Sequence, residues 1–246
     1  MRRLAVQTFL SLDGVMHAPG GPEEDPTGGF AHGGWTVNYW DDVMGQVMGE
    51  AMGGSFDLLL GRKTYEIFAA HWPYAKDDPF AARLNDATKY VVSSTLKTPT
   101  WQNSRIVTGD IAVGVARVKA EDGPELQVHG SSQLVRALLE VRGLVDELRL
   151  LIFPVVLGRG KRIFGEGSTL AGYDLVSSTA STTGVLMLTY RAAAVRPAGS
   201  FALEQPTGAE IERPRKMERG RAEAVWKGND GEKALRSAEK PARNKS

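Results

Sequence analysis

The stretch "ELQVHGSSQLVRALLE", residues 125–140, passes from one structural period to another. Leu126 and Val128 alternate with polar neighbours, the period of a strand. His129 and Gly130 break that pattern. Leu134, Val135, Leu138, Leu139 and Val141 then recur at helical spacing. They form an apolar stripe that must be buried against something. A strand, a tight turn and an amphipathic helix make half of a β–α–β unit.

The same exchange of periods recurs in both directions. Strands are predicted over 3–12, 56–60, 89–92, 104–107, 125–128, 147–153, 173–178 and 184–190. Helices are predicted over 39–52, 63–70, 79–86, 111–120 and 131–141. Alternating strands and helices imply an α/β domain with a mostly parallel, eight-stranded central sheet. The last two strands follow each other with no helix between, which implies an antiparallel edge hairpin. The periodic region defines a domain over 1–195. From 196 a C-terminal extension follows, expected to be disordered from about 205, with a transient helix near 221–226. From Pro206 onward there are eleven Lys/Arg against seven Asp/Glu and few large apolar residues. Such a segment buries too little to offset its ordering entropy. Its acidic residues are interleaved with the basic ones and it lacks aromatic stacking platforms, so nucleic acid is not the expected partner.

Composition excludes several chemistries. There is no cysteine, so disulfide scaffolds, thiol catalysis and Cys-ligated metals are out. The four histidines show no metal-ligand spacing, and no metal is expected. A net charge of +1 gives no field favouring polyanions. No apolar run approaches the ~20 residues that span a bilayer. The start "MRRLAVQTFLSLDG" has a signal-like look, but Gln7, Thr8 and Asp13 interrupt it and it reads as the first strand. A cytoplasmic protein without a membrane partner is expected.

Ligands of open α/β sheets bind beyond the carboxyl ends of the strands. Three junctions there share one chemistry. "LLLGRKTYE" presents Gly61, Arg62, Lys63 and Thr64 at a helix start. "YVVSSTL" ends on Ser93, Ser94 and Thr95. "VHGSSQ" presents Gly130, Ser131, Ser132 and Gln133. Helix N-termini and hydroxyls favour an anion, and Arg62 and Lys63 add cations. Ser131 has two readings: a cap for its own helix, or a hydroxyl for a ligand. The chain has no G-x-G-x-x-G, Walker A or G-x-S-x-G motif. A bound cofactor with a few acid–base groups remains.

The combination of "LSLDGVM", "LLLGRKTYE", "VVSSTL", "VHGSSQLVRALLE" and "GLVDELRLLIFPVVLGRG" resembles the dihydrofolate-reductase-like superfamily. Within it, the chain most resembles the C-terminal reductase domain of the riboflavin-biosynthesis deaminase–reductases and their stand-alone relatives. The resemblance runs from about Arg3 to Ala192 and implies a three-layer α/β fold that binds NADPH. It implies that 61–64 line the 2′-phosphate and pyrophosphate, that 93–95 hold the adenosine-ribose phosphate, and that 130–133 cradle the pyrophosphate. Gly14, Val15 and Met16 would cover the nicotinamide. Asp13 would lie beside the substrate. By its chemistry it is either the catalytic group or a turn-forming aspartate before Gly14, and His17 is a weaker acid candidate. The implied reaction is hydride transfer to an imine-type carbon of a pyrimidine- or pterin-like compound, as in 5-amino-6-(5-phosphoribosylamino)uracil reductase. Two alternatives are a same-fold oxidoreductase for an unrelated small molecule and a catalytically silent NADPH-binding sensor. Relatives of this kind are often dimers, so a homodimer is expected. The riboflavin enzymes commonly carry an E-G-G type sequence where this chain has His129-Gly130-Ser131.

The Gly/Pro-rich stretch 19–35 is expected to act as a lid. Trp35, Tyr39 and Trp40 serve either as an aromatic wall for a flat heterocycle or as core packing. Phe153 and Pro154 are expected at the substrate pocket. Asp41 and Asp42 fall near where dihydrofolate reductases place an acid on their first helix. Arg159, Lys161 and Arg162 either receive a substrate phosphate or form a solvated basic loop.

Overall fold

A computed structural model describes residues 1–219. Residues 1–196 form one unit and the chain from Pro197 a second. The first unit has eight strands: β1 (Leu4–Ser11), β2 (Phe56–Gly61), β3 (Lys89–Val92), β4 (Ser104–Val107), β5 (Glu125–Val128), β6 (Glu147–Phe153), β7 (Gly172–Ala180) and β8 (Leu186–Ala193). Its helices are α1 (Asp42–Ala51), α2 (Arg62–His71), α3 (Ala81–Asp86), α4 (Ile111–Ala120) and α5 (Ser132–Glu140). One sheet holds all eight strands in the order β4-β3-β2-β5-β1-β6-β8-β7. The six strands from β4 to β6 pair in parallel, and β8 runs antiparallel between β6 and β7. The α/β architecture read from the alternation of periods is therefore the one that forms. No helix among the described residues is long and apolar enough to cross a membrane.

Alternation along β1 sends side chains to two cores. Leu4, Val6 and Leu10 join Val115, Val118, Leu134, Val135 and Leu138 beneath α4 and α5. Phe9 joins Met44, Met48, Tyr65, Leu84 and Phe153 beneath α1, α2 and α3. Each fully buried Leu or Val contributes about 1.5–3 kcal/mol. The stripe of α5 is one residue shorter than predicted. Val141 is extended, with φ −95°, and largely outside the core. α1 starts at Asp42 rather than at 39 because Asp41 caps it, accepting from Met44 N at 2.9 Å.

In the second unit, residues 208–219 are helical. Thr207 and Glu210 start the turn reciprocally: Glu210 N donates to Thr207 Oγ1, and Thr207 N donates to Glu210 Oε2. This is a capping box, a signal in the sequence that the compositional reading of disorder from about 205 overlooked. The helix expected near 221–226 lies outside the described residues.

Two aspartates clamp the parallel pair β1–β6 at its ends. Asp146, just before β6, accepts the Leu4 amide at 2.7 Å and pairs with the buried Lys119 at 2.6 Å. Asp13, just after β1, reaches the loop after β6. Its carboxylate accepts from the Ser11 hydroxyl (2.6 Å), Leu157 N (3.1 Å), Gly158 N (2.9 Å) and Arg162 (3.0 Å). Burial by itself would raise the Asp13 pKa. The hydrogen bonds from Ser11, Leu157 and Gly158 outweigh it and bring the group down to about 2. These four donors favour an anchoring role for Asp13 over that of a proton donor. A carboxylate held by four donors keeps its charge and has no proton to give at neutral pH.

The lowered pKa contributes stability above the ordinary carboxylate range, and that contribution is lost as pH falls toward about 2. Asp13→Asn is expected to cost about 1–3 kcal/mol at neutral pH, the worth of charge-assisted bonds to one partly exposed carboxylate. The gap between mutant and parent closes as the solution is acidified below pH ~4. Urea denaturation checks this; equal stability at neutral pH would overturn the clamp.

Candidate active site

The carboxyl ends of β1, β2, β3 and β5 and the N-termini of α2 and α5 surround one cleft of about 1620 Å³. Its floor depends on a close approach. The β2–α2 and β5–α5 junctions touch, and Gly61 N donates to Gly130 O at 3.2 Å. A Cβ on Gly61 would stand 2.1 Å from Ser131 Oγ, and one on Gly130 would stand 2.7 Å from Thr64 Oγ1. Gly130 also has φ +138°, a region that favours glycine. The peptide between Gly130 and Ser131 is cis.

The helices that open on this floor lack side-chain caps. α1 and α4 are capped by Asp41 and Asp110. Gly61 precedes α2 and Ser131 precedes α5 at the cap positions, and neither residue makes a side-chain cap. Of the two readings of Ser131, the structure therefore rejects capping. Two helix ends present unsatisfied N–H groups and positive dipole ends to the same space.

The predicted phosphate-competent residues converge here. Gly61, Arg62, Lys63, Thr64, Ser93, Ser94, Thr95, Gly130, Ser131, Ser132 and Gln133 all line the cleft. Arg62 crosses between junctions, donating to Thr95 Oγ1 at 2.7 Å and pairing with Glu66 at 2.6 Å. Ser93 Oγ folds its own turn by accepting from Leu96 N at 2.9 Å.

The substrate-side expectations divide. Met16 and Trp40 line the cleft, whereas Asp13, Gly14, Val15, Trp35, Tyr39, Phe153 and Pro154 do not. Phe153 is fully buried behind the wall. Phe9, Trp35 and Tyr39 pack edge-on against it at 5.3–5.8 Å. Trp35 also donates its indole N–H to His17 O at 2.8 Å. For Trp35 and Tyr39, then, core packing is the correct reading. α1 offers no carboxylate to the cleft: Asp41 turns to Thr182, and Met48 and Met52 line the space instead. Arg162 is committed to Asp13 and Arg159 stays outside, while Lys161 lines the cleft.

Several lining residues carried no signal in the sequence. Phe9, Phe68 and Trp72 look like core aromatics by period alone, yet they form the apolar wall. Gln7 is 2% exposed on β1, and its Oε1 has no partner. His129 lies 6.3 Å from the Phe68 ring, beside Gln127 Oε1 at 3.3 Å. Burial, with the Arg149 charge adding to it, lowers the His129 pKa to about 4. The imidazole is therefore neutral at physiological pH. The Gly/Pro-rich stretch is a folded wall: Gly34 N donates to Ala18 O at 2.9 Å and Thr36 Oγ1 to Pro19 O at 2.8 Å.

Known proteins bear on this geometry. The curated protein YyaP of Bacillus subtilis, itself uncharacterised, is 25% identical over 197 residues, covering 77% of this chain and 94% of that one. A Shewanella sp. PV-4 structure assigned to riboflavin biosynthesis aligns with TM-score 0.56 and 20% identity, over 78% of this chain and 99% of that one. A pyrimidine reductase-like protein of Corynebacterium diphtheriae aligns with TM-score 0.51 and 13% identity, over 79% and 93%. At these identities the two structures speak for the fold. The RibD C-terminal domain family matches residues 2–187, nearly the whole first unit. That match covers well over half of the sequence, and the chain belongs to the RibD C-terminal domain family.

Proposed function

We propose that the protein is an NADPH-dependent reductase of a flat, nitrogen-containing heterocycle. One observation carries this reading. Two uncapped helix N-termini meet across a floor where a Cβ on Gly61 or Gly130 would collide with the Ser131 or Thr64 hydroxyl, in a cleft whose other wall is aromatic. A dinucleotide fits those features. Its pyrophosphate matches the free N–H groups of α2 and α5. Its 2′-phosphate matches Arg62 and the hydroxyls of Ser93, Ser94 and Thr95. Bound NADPH would supply hydride to an electrophilic carbon of the substrate.

The chain's own residues set the conditions for that transfer. Gly61 and Gly130 let the cofactor backbone approach the sheet. Phe9, Trp40, Met48 and Phe68 exclude water and hold a flat ring. The unpartnered Oε1 of Gln7 is an acceptor for a ring or exocyclic N–H. Neutral His129 offers a donor or an acceptor, where the riboflavin reductases commonly place a carboxylate. That exchange favours a heterocycle other than the riboflavin precursor, on the same reductase scaffold.

Arg62→Ala is expected to weaken NADPH by about tenfold or more, the loss of one charge-assisted contact to phosphate. NADH should change by less than about twofold. Equal losses for both, in fluorescence titrations, would remove Arg62 from the 2′-phosphate. Gly61→Ala is expected to weaken both cofactors by about tenfold or more, because its Cβ turns the Ser131 hydroxyl out of place and still stands 3.2 Å from Ser131 N. Retention of parental affinity in that variant would show that the glycine floor is not the cofactor site.

A further inference from the structure

Lys63 and Lys161 reach into the cleft from opposite sides, one from the start of α2 and one from the loop after β6. Both meet the same carboxylate. Asp25 pairs with Lys161, and its Oδ1 lies 3.7 Å from Lys63 Nζ. Thr27 Oγ1 accepts from Lys161 at 2.9 Å and from Lys63 at 3.4 Å. Two lysines within ion-pairing distance of one carboxylate have their mutual repulsion offset by that anion.

Asp25 belongs to the tip of the Gly/Pro-rich stretch. On the tip's near side, the chain is anchored by Val15, Ala18 and Phe30, which form a small core of their own. The tip itself is braced by Glu24, which accepts the Gly20 and Gly21 amides. Its polar ties to the opposite wall are those of Asp25 and Thr27 to the two lysines. Beneath them lies His17, 4% exposed. Its Nε2 is 3.3 Å from Asp25 Oδ2 without hydrogen-bond alignment, and its Nδ1 has no partner. A buried ring with unpartnered nitrogens in a ligand cleft is an arrangement that a ligand completes.

We propose that Lys63, Lys161 and Thr27 form an oxyanion subsite for a phosphate group, and that Asp25 is its resident counter-ion, displaced by the ligand's phosphate. Cofactor and substrate are both candidate donors of that phosphate. The exchange makes the tip of 20–29 a gate: it closes the cleft on itself until a ligand anion takes the lysines. This reading rests on the cleft as the ligand site, and it does not require that hydride transfer occur there.

Inorganic pyrophosphate is the probe, measured by calorimetry on the full chain. Asp25→Asn is expected to bind it at least about tenfold tighter than the parent, since the competing charge is gone. Adding Lys161→Met or Lys63→Met to that variant should abolish the gain. An affinity within about twofold of the parent would overturn the proposal, as would a gain that survives both lysine changes. Should Asp25→Asn not fold, the parent decides the matter through limited proteolysis after Glu23 and Glu24. Pyrophosphate is expected to speed cleavage severalfold, while sodium chloride at equal ionic strength does not. Cleavage unchanged by pyrophosphate would overturn the gate. Saturating NADPH then identifies the source. Blocked pyrophosphate binding assigns the subsite to the cofactor, and undisturbed binding assigns it to the substrate; either supports the subsite. Pyrophosphate binding without NADPH binding would sink the reductase reading and leave the subsite standing. NADPH turnover without a pyrophosphate response would do the reverse.

Discussion

The cleft exists because β2 and β5 are hydrogen-bonded neighbours whose chains leave the sheet through the same few ångströms. Gly61 and Gly130 are the residues that make this passage possible. A Cβ at Gly61 would displace the Ser131 hydroxyl, 2.1 Å away, and crowd Ser131 N at 3.2 Å, between the starts of α2 and α5. Asp41 and Asp110 cap α1 and α4, whereas the starts of α2 and α5 face the cleft without a side-chain cap.

The β1–β6 pair holds this floor in place from below and above. Asp146 and Asp13 lie 133 positions apart in sequence yet bracket one parallel ladder running from Ala5–Glu147 to Ser11–Phe153. Each satisfies backbone amides that would otherwise be left at strand ends. The aspartate in "SLDG" is thus a structural anchor of the cleft rim. A motif residue that seems chemically reactive can serve the fold when its donors are all within reach.

The aromatic residues show how far periodicity carries. Phe9, Trp40 and Phe68 reach the cleft, while Trp35, Tyr39 and Phe153 stack behind them. All six have apolar surfaces suited to burial, and no local pattern distinguishes a wall from its backing. The division depends on where separate elements meet: Phe9 comes from β1, Phe68 from α2 and Phe153 from β6.

Local chemistry was sufficient for the elements and their class. Alternation of two periods is a property of neighbouring residues, so eight strands, five helices and a parallel sheet with an antiparallel edge could be read along the chain. The three anion-competent junctions were legible for the same reason, since each is a run of a few adjacent residues. Partners distant in sequence were not legible. Asp13 found Leu157 and Gly158, Asp25 found Lys63 and Lys161, and Gln7 was left with an open acceptor, only once the sheet had brought separate loops together. Charge and hydrogen-bonding capacity are written in the residue, but whether they are spent on the fold or kept for a ligand depends on what the folded chain places within three ångströms.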